Sequence, residues 1–393
     1  MIFTRLLPIL GITFIDILGF SILIPILPYY VKHFGSSTIV VGLLFGTFAL
    51  CQFIAGPVWG NVSDNIGRKK VLIISQIGAT IGWAGLAFAP NMFWVFIARI
   101  IEGISGGNIS VTQAYVADRV EPAQRAQAFA YVGASFSAGI VLGPLMGGLL
   151  LAHFGYQMPF LLAAGLQIVT LLATILYLPE DVAEKGETSS AASFGDITRY
   201  LGDPLISPVL VQKLAYSLGL YAWFAVFALL LNAVAGFGPV ETSWFFAAFG
   251  AMSVILQLGV VGRVVERIGV RAASNIGFAS ACIYFVAAPF MHSWPALLAV
   301  QVFFAFGLAL SNATIATLLT DAAPERVRGT VLGVGSSLEA VAGIIMPTVS
   351  TAILMYYGPA WTGATSAVFL FVALVLGVMA QRRQVAPKAE APS

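Results

Sequence analysis

Charge is what this 393-residue chain has least of. Asp, Glu, Lys and Arg make up 9% of it, while 59% is hydrophobic and the mean hydropathy is +0.94. Soluble globular proteins carry about 25% charged residues, so a water-soluble enzyme is excluded. Cysteine is nearly absent as well. Cys51 and Cys282 each sit inside an apolar run, where a lone thiol is a small packing residue. Three histidines do not form a cluster with Asp or Glu at metal or catalytic spacing, so neither a metal centre nor an enzyme is expected. A phosphate-cradling glycine loop is missing too; no bound cofactor and no direct use of ATP are expected. Net charge is only +2 and the basic residues are dispersed, which excludes nucleic acid as a partner.

What is present is apolar length. Runs extend over residues 6–27, 39–59, 71–89, 92–116, 126–151 and 159–178, and again over 208–235, 242–261, 272–291, 295–319, 330–354 and 361–380. Each is long enough for a bilayer crossing, which needs about 20 residues. The sequence therefore predicts an all-α membrane protein of twelve helices. Its organisation is a six-helix bundle over 1–178, a polar linker over 179–207, a second bundle over 208–380 and a polar tail over 381–393. The first run is too long for a cleaved leader and carries Asp16 centrally, so it is read as the first crossing.

Lysines and arginines mark the sides. Arg68, Lys69 and Lys70 follow the second run, Arg119 and Arg125 the fourth, Arg263, Arg267 and Arg271 the eighth, Arg326 and Arg328 the tenth. Cytoplasmic loops hold the excess of basic residues, so both termini are expected in the cytoplasm. Lys32 and the intramembrane Arg99 are the two exceptions among the nineteen.

The basic loops also repeat. Gly60, Asp64, Ile66 and Gly67 recur 202 positions later as Gly262, Glu266, Ile268 and Gly269, and Asp118 before Arg125 recurs 203 positions later as Asp321 before Arg328. Two loops sharing nearly one offset predict duplicated bundles of like topology, related by an axis along the membrane normal.

Three motifs carry the functional signal. The loop Gly60-Asn-Val-Ser-Asp64-Asn-Ile-Gly67-Arg68-Lys69-Lys70 combines turn-forming glycines with an acid and a base able to contact each other. It resembles the loop 2–3 signature of the major facilitator superfamily. That resemblance implies a cytoplasmic gate latch of Gly60, Asp64, Gly67, Arg68 and Asp118, with Glu266 and Arg271 in the second half. The fifth run holds Gly139-Ile-Val-Leu-Gly143-Pro144-Leu-Met-Gly147-Gly148, a small-residue face on which another helix can lie closely. As a string it is similar to the antiporter signature of the superfamily's drug/proton exporters. Asp16-Ile-Leu-Gly19 through Pro28, with Arg99-Ile-Ile-Glu102-Gly103, resembles the twelve-helix drug:proton antiporters and most of all their tetracycline-exporter branch. That branch carries an acid in the middle of helix 3, where this chain reads Ile81-Gly82-Trp83, and Glu102 stands where the branch usually has none. The resemblance thus implies a drug exporter without implying tetracycline.

Ionisable residues inside apolar runs are expensive, at about 2.5–3.5 kcal/mol each on insertion scales, and so mark function. Asp16, Glu102 and Glu339 lie near the middle of their runs, and Arg99 is one turn from Glu102, where the two can pair. These four are the expected proton-coupling residues. The resemblance places helices 1, 4, 7 and 10 around a central cavity, for which Asn108, Gln113, Tyr221, Asn232, Gln301, Phe304 and Asn312 are the substrate-contacting candidates. Glu241 opens the eighth run, where an acid is ordinary helix capping.

The expected function is proton-coupled export of small amphipathic compounds across a cell inner membrane by alternating access. Substrate, protons and membrane lipids are the expected partners, and a monomer the expected state. The alternatives within reach of the same sequence are an exporter or uniporter of one metabolite or sugar, and a membrane receptor that does not transport.

Overall fold

A computed structural model describes residues 2–106, 111–112, 115–116, 120, 125–178, 194–324 and 327–385. Among the described residues all regular structure is helical. Twelve main helices follow in order: α1 Ile2–His33, α2 Ile39–Ile66, α3 Arg68–Ala87, α4 Met92–Ser105, α5 Arg125–Phe154, α6 Gln157–Tyr177, α7 Ser207–Ala235, α8 Pro239–Leu256, α9 Val270–Ala287, α10 Trp294–Ala322, α11 Arg328–Tyr357 and α12 Pro359–Val385. A π-helical turn, Gln257–Val261, joins α8 to the helical segment Gly262–Ile268, and a short helix, Phe194–Leu201, precedes α7. Among the described residues, eleven helices are long and apolar enough to cross a membrane. The described part of α4 is shorter, at 14 residues, although 111–112 and 115–116 beyond it are also helical.

Helix boundaries follow local chemistry. Asn91 caps α4 by accepting from the backbone N–H groups of Phe93 and Trp94 at 3.1 and 3.4 Å. Glu241 takes the expected capping role at α8, its Oε2 accepting from the Gly238 N–H at 2.9 Å. Six glycines have positive φ, a region that side chains with a Cβ avoid. They form three pairs: Gly35 with Gly236, Gly67 with Gly269, and Gly155 with Gly358, separated by 201, 202 and 203 positions. The repeat read from two loops therefore extends to all the loops where positive φ occurs. Its best-matched pair, Gly67 and Gly269, donates its N–H to Ser63 O and Val265 O respectively, themselves 202 positions apart.

By packing, the chain forms two compact units. One comprises 1–189 with 224–251 and 344–355; the other comprises 190–223, 252–343 and 356–393. In the first unit α1 lies against α5 and α6, α3 against α4 and α6, and α2 against α4. Ile9, Leu10, Ile12, Val71, Leu72, Val111, Tyr115 and Val116 form its core near the basic loops. In the second unit α9 lies against α10 and α12, with Val261, Ala273, Ala309 and Leu310 clustered between them.

The first unit owes its inclusion of 224–251 and 344–355 to close contacts. A Cβ on Gly46 of α2 would stand 2.7 Å from the Ile344 carbonyl oxygen, so only glycine admits α11 there. The Tyr29 hydroxyl, near the end of α1, donates to Phe237 O at 2.8 Å and lies 2.9 Å from Thr242 Oγ1. Removing it in Tyr29→Phe is expected to cost about 1 kcal/mol, since hydrogen bonds net about 0.5–1.5 kcal/mol each. A fall of a few degrees in the unfolding temperature of the detergent-purified protein is the expected reading; an unchanged value would mean that the contact is not stabilising.

Candidate functional site

The intramembrane charges divide into two settings. On α4, Arg99 Nη1 meets Glu102 Oε2 at 2.5 Å, with side-chain exposures of 0% and 6%. The guanidinium carbon also lies 4.2 Å from the ring centre of Phe48 on α2, a cation–π contact. Glycines close the surroundings. A Cβ on Gly82 of α3 would be 3.0 Å from Glu102 Cβ, and one on Gly103 would be 2.8 Å from the Phe48 carbonyl oxygen. The three helices can thus pack directly around the pair, and at this level of the α3–α4 contact the carboxylate comes from α4. Nε and Nη2 of Arg99 find no hydrogen-bond acceptor among the described residues.

Glu339, on α11, stands in the second setting. Its Oε2 accepts from Lys213 Nζ of α7 at 2.9 Å, with exposures of 40% for the acid and 19% for the base. Lys213 is one of the seventeen basic residues that the positive-inside pattern assigns to the cytoplasmic side, yet it lies inside the membrane-length span Ser207–Ala235. It therefore joins Glu339, its ion-pair partner, as an ionisable residue inside an apolar helix. Being close to the start of an apolar run, it looks like an anchor until its partner on another helix is known. Asp16 is half-buried within α1.

The Gly139–Gly148 string forms the close seam that its spacing suggests. Cβ atoms on Gly139, Gly143 and Gly147 would fall 2.9 Å from Phe14 O, 2.5 Å from Leu18 O and 3.0 Å from Ile26 Cδ1, all on α1. Ser21 Oγ of α1 donates to Gly139 O at 2.8 Å, so a hydrogen bond is built into the same seam. Gly148 turns instead to Ser243 and Val240 at the start of α8. Pro144 lies within α5 next to Gly143.

At the basic-loop end, Arg68 donates to Ser63 Oγ and Lys69 Nζ to Ile175 O at 2.9 Å. Gly60 accepts from Ser63 Oγ at 2.6 Å. The Asp64 side chain, Asp118, Asn108 and Gln113 lie outside the described residues. In the second unit Glu266 is exposed, while Arg271 and Asp321 line a cavity of about 570 Å³ together with Gly269, Leu318 and Gln381. This places Arg271 in the same loop-end position in its unit as the Arg68 loop occupies in the other.

The remaining candidates separate by burial. Tyr221 is half-buried and lies close to Glu339; Asn312 is exposed and accepts from Tyr216 Oη at 2.9 Å. Asn232 donates to Phe237 O at 2.9 Å and so fastens the turn after α7. Gln301 and Phe304 are enclosed by protein, with Phe304 stacked on Tyr284 at a centroid distance of 4.8 Å. The second unit thus brings Lys213, Tyr221, Glu339, Tyr216 and Asn312 into one polar neighbourhood, and sequence reasoning had named three of the five.

Comparison with known proteins agrees with this architecture. The family model described as Major Facilitator Superfamily matches residues 9–238 and 214–393. The class B tetracycline resistance protein of Escherichia coli is 27% identical over 365 residues, 90% of this chain and 89% of that one. Multidrug resistance protein 2 of Bacillus subtilis (strain 168) is 25% identical over 342 residues, 85% of this chain and 84% of that one. Among solved structures, the nucleoside transporter NupG gives a TM-score of 0.78 at 14% identity, covering 96% of this chain and 99% of that one. The human organic anion transporter MFSD10 gives 0.72 at 23%, covering 95% and 99%. At such identities the likeness is one of fold.

Proposed function

Because the chain belongs to the major facilitator superfamily and is a multi-pass membrane transporter, we propose that it exports small amphipathic, drug-like compounds in exchange for protons. The observation that carries this reading is the set of carboxylates kept inside apolar helices: Asp16 in α1 and Glu339 in α11, both of membrane length, and the buried Glu102 in α4. Only a use for the charge balances the cost of keeping it there. Relatives named for tetracycline and multidrug resistance, matched along most of both chains, supply the direction of transport. The setting proposed is a bacterial inner membrane with both termini in the cytoplasm, and the loops around Arg68 and Arg271 closing that side.

Asp16 and the Arg99–Glu102 pair are the proton-coupling residues in this reading. Protonating Glu102 would leave the Arg99 guanidinium buried without a counter-charge. That state is relieved only if α2, α3 and α4 move apart enough for water to reach it. Proton arrival is thereby tied to a change in helix packing, which is what coupling requires. Asp16, half-buried in α1, is the second proton-exchanging carboxylate in this reading.

Proteoliposomes with an imposed pH gradient and an internal pH dye test the reading. Adding substrate should trigger proton flux in the native protein. Asp16→Asn, and the neutral pair Arg99→Gln with Glu102→Gln, should lower that flux at least tenfold while leaving substrate counterflow, which needs no gradient, intact. Undiminished flux in both would remove these residues from the mechanism.

A further inference from the structure

The second unit holds an open pair of opposite charges that coupling through α1 and α4 does not use. We propose that Lys213, Glu339 and Tyr221 bind the headgroup of a zwitterionic ligand, one bearing a cationic nitrogen and a carboxylate on a flat apolar body. Lys213 takes the ligand's carboxylate and Glu339 its cationic nitrogen.

Exposure separates this pair from the other one. Arg99 and Glu102 are 0% and 6% exposed, whereas Lys213 and Glu339 are 19% and 40% exposed, although the last two lie inside membrane-length helices. Lys213 is six residues beyond the start of α7 and Glu339 eleven beyond the start of α11, about 9 and 16 Å along helices of 29 and 30 residues at about 1.5 Å per residue. Charged groups so placed in a membrane helix face protein or water-filled openings, because hydrocarbon does not solvate them. Exposure of this pair therefore marks a wet opening that a ligand can enter.

Glycines shape the floor. Gly335, Glu339 and Gly343 follow one another at four-residue steps and share a face of α11. A Cβ on Gly335 would be 3.1 Å from Lys213 Cδ, and one on Gly343 would be 3.2 Å from Tyr221 Cε1. The lysine stem thus lies over the lower glycine and the tyrosine ring over the upper one, with the carboxylate between them. The Tyr221 side chain lies close to Glu339 as well. Tyr216, the other titratable group near Glu339, bonds to Asn312 and packs its ring 5.8 Å from that of Phe278. Two charges, the exposed Asn312 amide and the half-buried Tyr221 ring are consequently presented at one place, with Tyr216 and Phe278 packed behind them.

Charge balance selects the ligand class. A cation displacing the lysine from Glu339 would leave Lys213 without a counter-charge, and an anion binding Lys213 would leave Glu339 so. A ligand carrying both charges replaces the ion pair with two new ones and strands neither. This inference rests on the export reading for its substrate but not for its test, which involves binding alone.

The test measures dissociation constants of the detergent-purified protein, without any pH gradient, for three probes of one body at pH 7. These are norfloxacin as the zwitterion, its methyl ester as the cation and its N-acetyl derivative as the anion. The native protein should bind norfloxacin at least tenfold more tightly than either derivative. Lys213→Met should tighten binding of the methyl ester, whose cation no longer strands the lysine, and abolish the preference for norfloxacin over it; Lys213→Arg should restore the native order. Glu339→Gln should bring norfloxacin to the level of the N-acetyl form. Equal or absent binding of the three probes by the native protein overturns the proposal. So does a uniform loss of all three affinities in Lys213→Met accompanied by a lower unfolding temperature, which is the signature of a structural ion pair. Failure here leaves gradient-driven proton flux through Asp16 intact, and failure of that flux leaves these constants readable, so the two readings fall separately.

Discussion

Glu102→Leu is expected to be the most damaging single substitution among the charged residues, because it strands Arg99. The guanidinium is 0% exposed, cannot shed its proton, and meets one carboxylate, at 2.5 Å. Breaking a buried pair by removing one partner costs about 3–5 kcal/mol. Arg99→Met should be milder, since the Glu102 carboxyl left behind can neutralise itself by taking a proton. Replacing both, in Arg99→Met with Glu102→Leu, should recover most of the lost stability, because α2, α3 and α4 already pack tightly at Gly82 and Gly103. The double variant should nevertheless be inactive in proton exchange. Thermal unfolding of the purified single and double variants checks this ordering; a double variant as unstable as Glu102→Leu would show that the charges themselves hold the helices together.

Gly143→Leu is expected to abolish assembly of the α1–α5 seam and reduce transport below about a tenth of the native rate. Even the Cβ of Gly143→Ala would stand 2.5 Å from the Leu18 carbonyl oxygen and 3.1 Å from the Ile22 nitrogen, so a backbone rather than a flexible side chain must move. Overpacking of a well-packed interior typically costs about 1–3 kcal/mol, which makes the alanine variant measurably unstable and the leucine variant non-functional. Gly133 of the same helix supplies the control, since nothing lies within 4 Å of a Cβ placed there. Gly133→Ala should be neutral or stabilising, because alanine favours helix by about 1 kcal/mol over glycine. Native-like unfolding temperature and transport in Gly143→Ala would mean that the seam is looser than its geometry indicates.

Much of this site was legible in the sequence. Arg99 and Glu102 are one turn apart on one helix, so their pairing needed only helical periodicity, and the four-residue recurrence of Gly139, Gly143 and Gly147 announced a close approach. Which helix would approach was not legible; the structure answers α1, through Phe14, Leu18 and Ile26. Lys213 escaped because positive-inside logic explains any lysine near a span end, and its partner is 126 residues away. Gln301 and Phe304, polar and aromatic on a helix expected to line a cavity, are enclosed instead, because the rotation of α10 about its axis is set by packing against α9.

The sequence by itself determined the solvent, the number of apolar crossings, the duplication and the places where the chain must turn. Those properties are written in local composition and spacing, and hydrocarbon enforces them on each segment separately. Only the tertiary structure decided that Arg99 and Glu102 are sealed beneath Phe48, Gly82 and Gly103 while Lys213 and Glu339 stand open above Gly335. Whether a charge is closed or open depends on the depth and rotation of helices distant in sequence, and these are fixed by which small residues let two backbones meet.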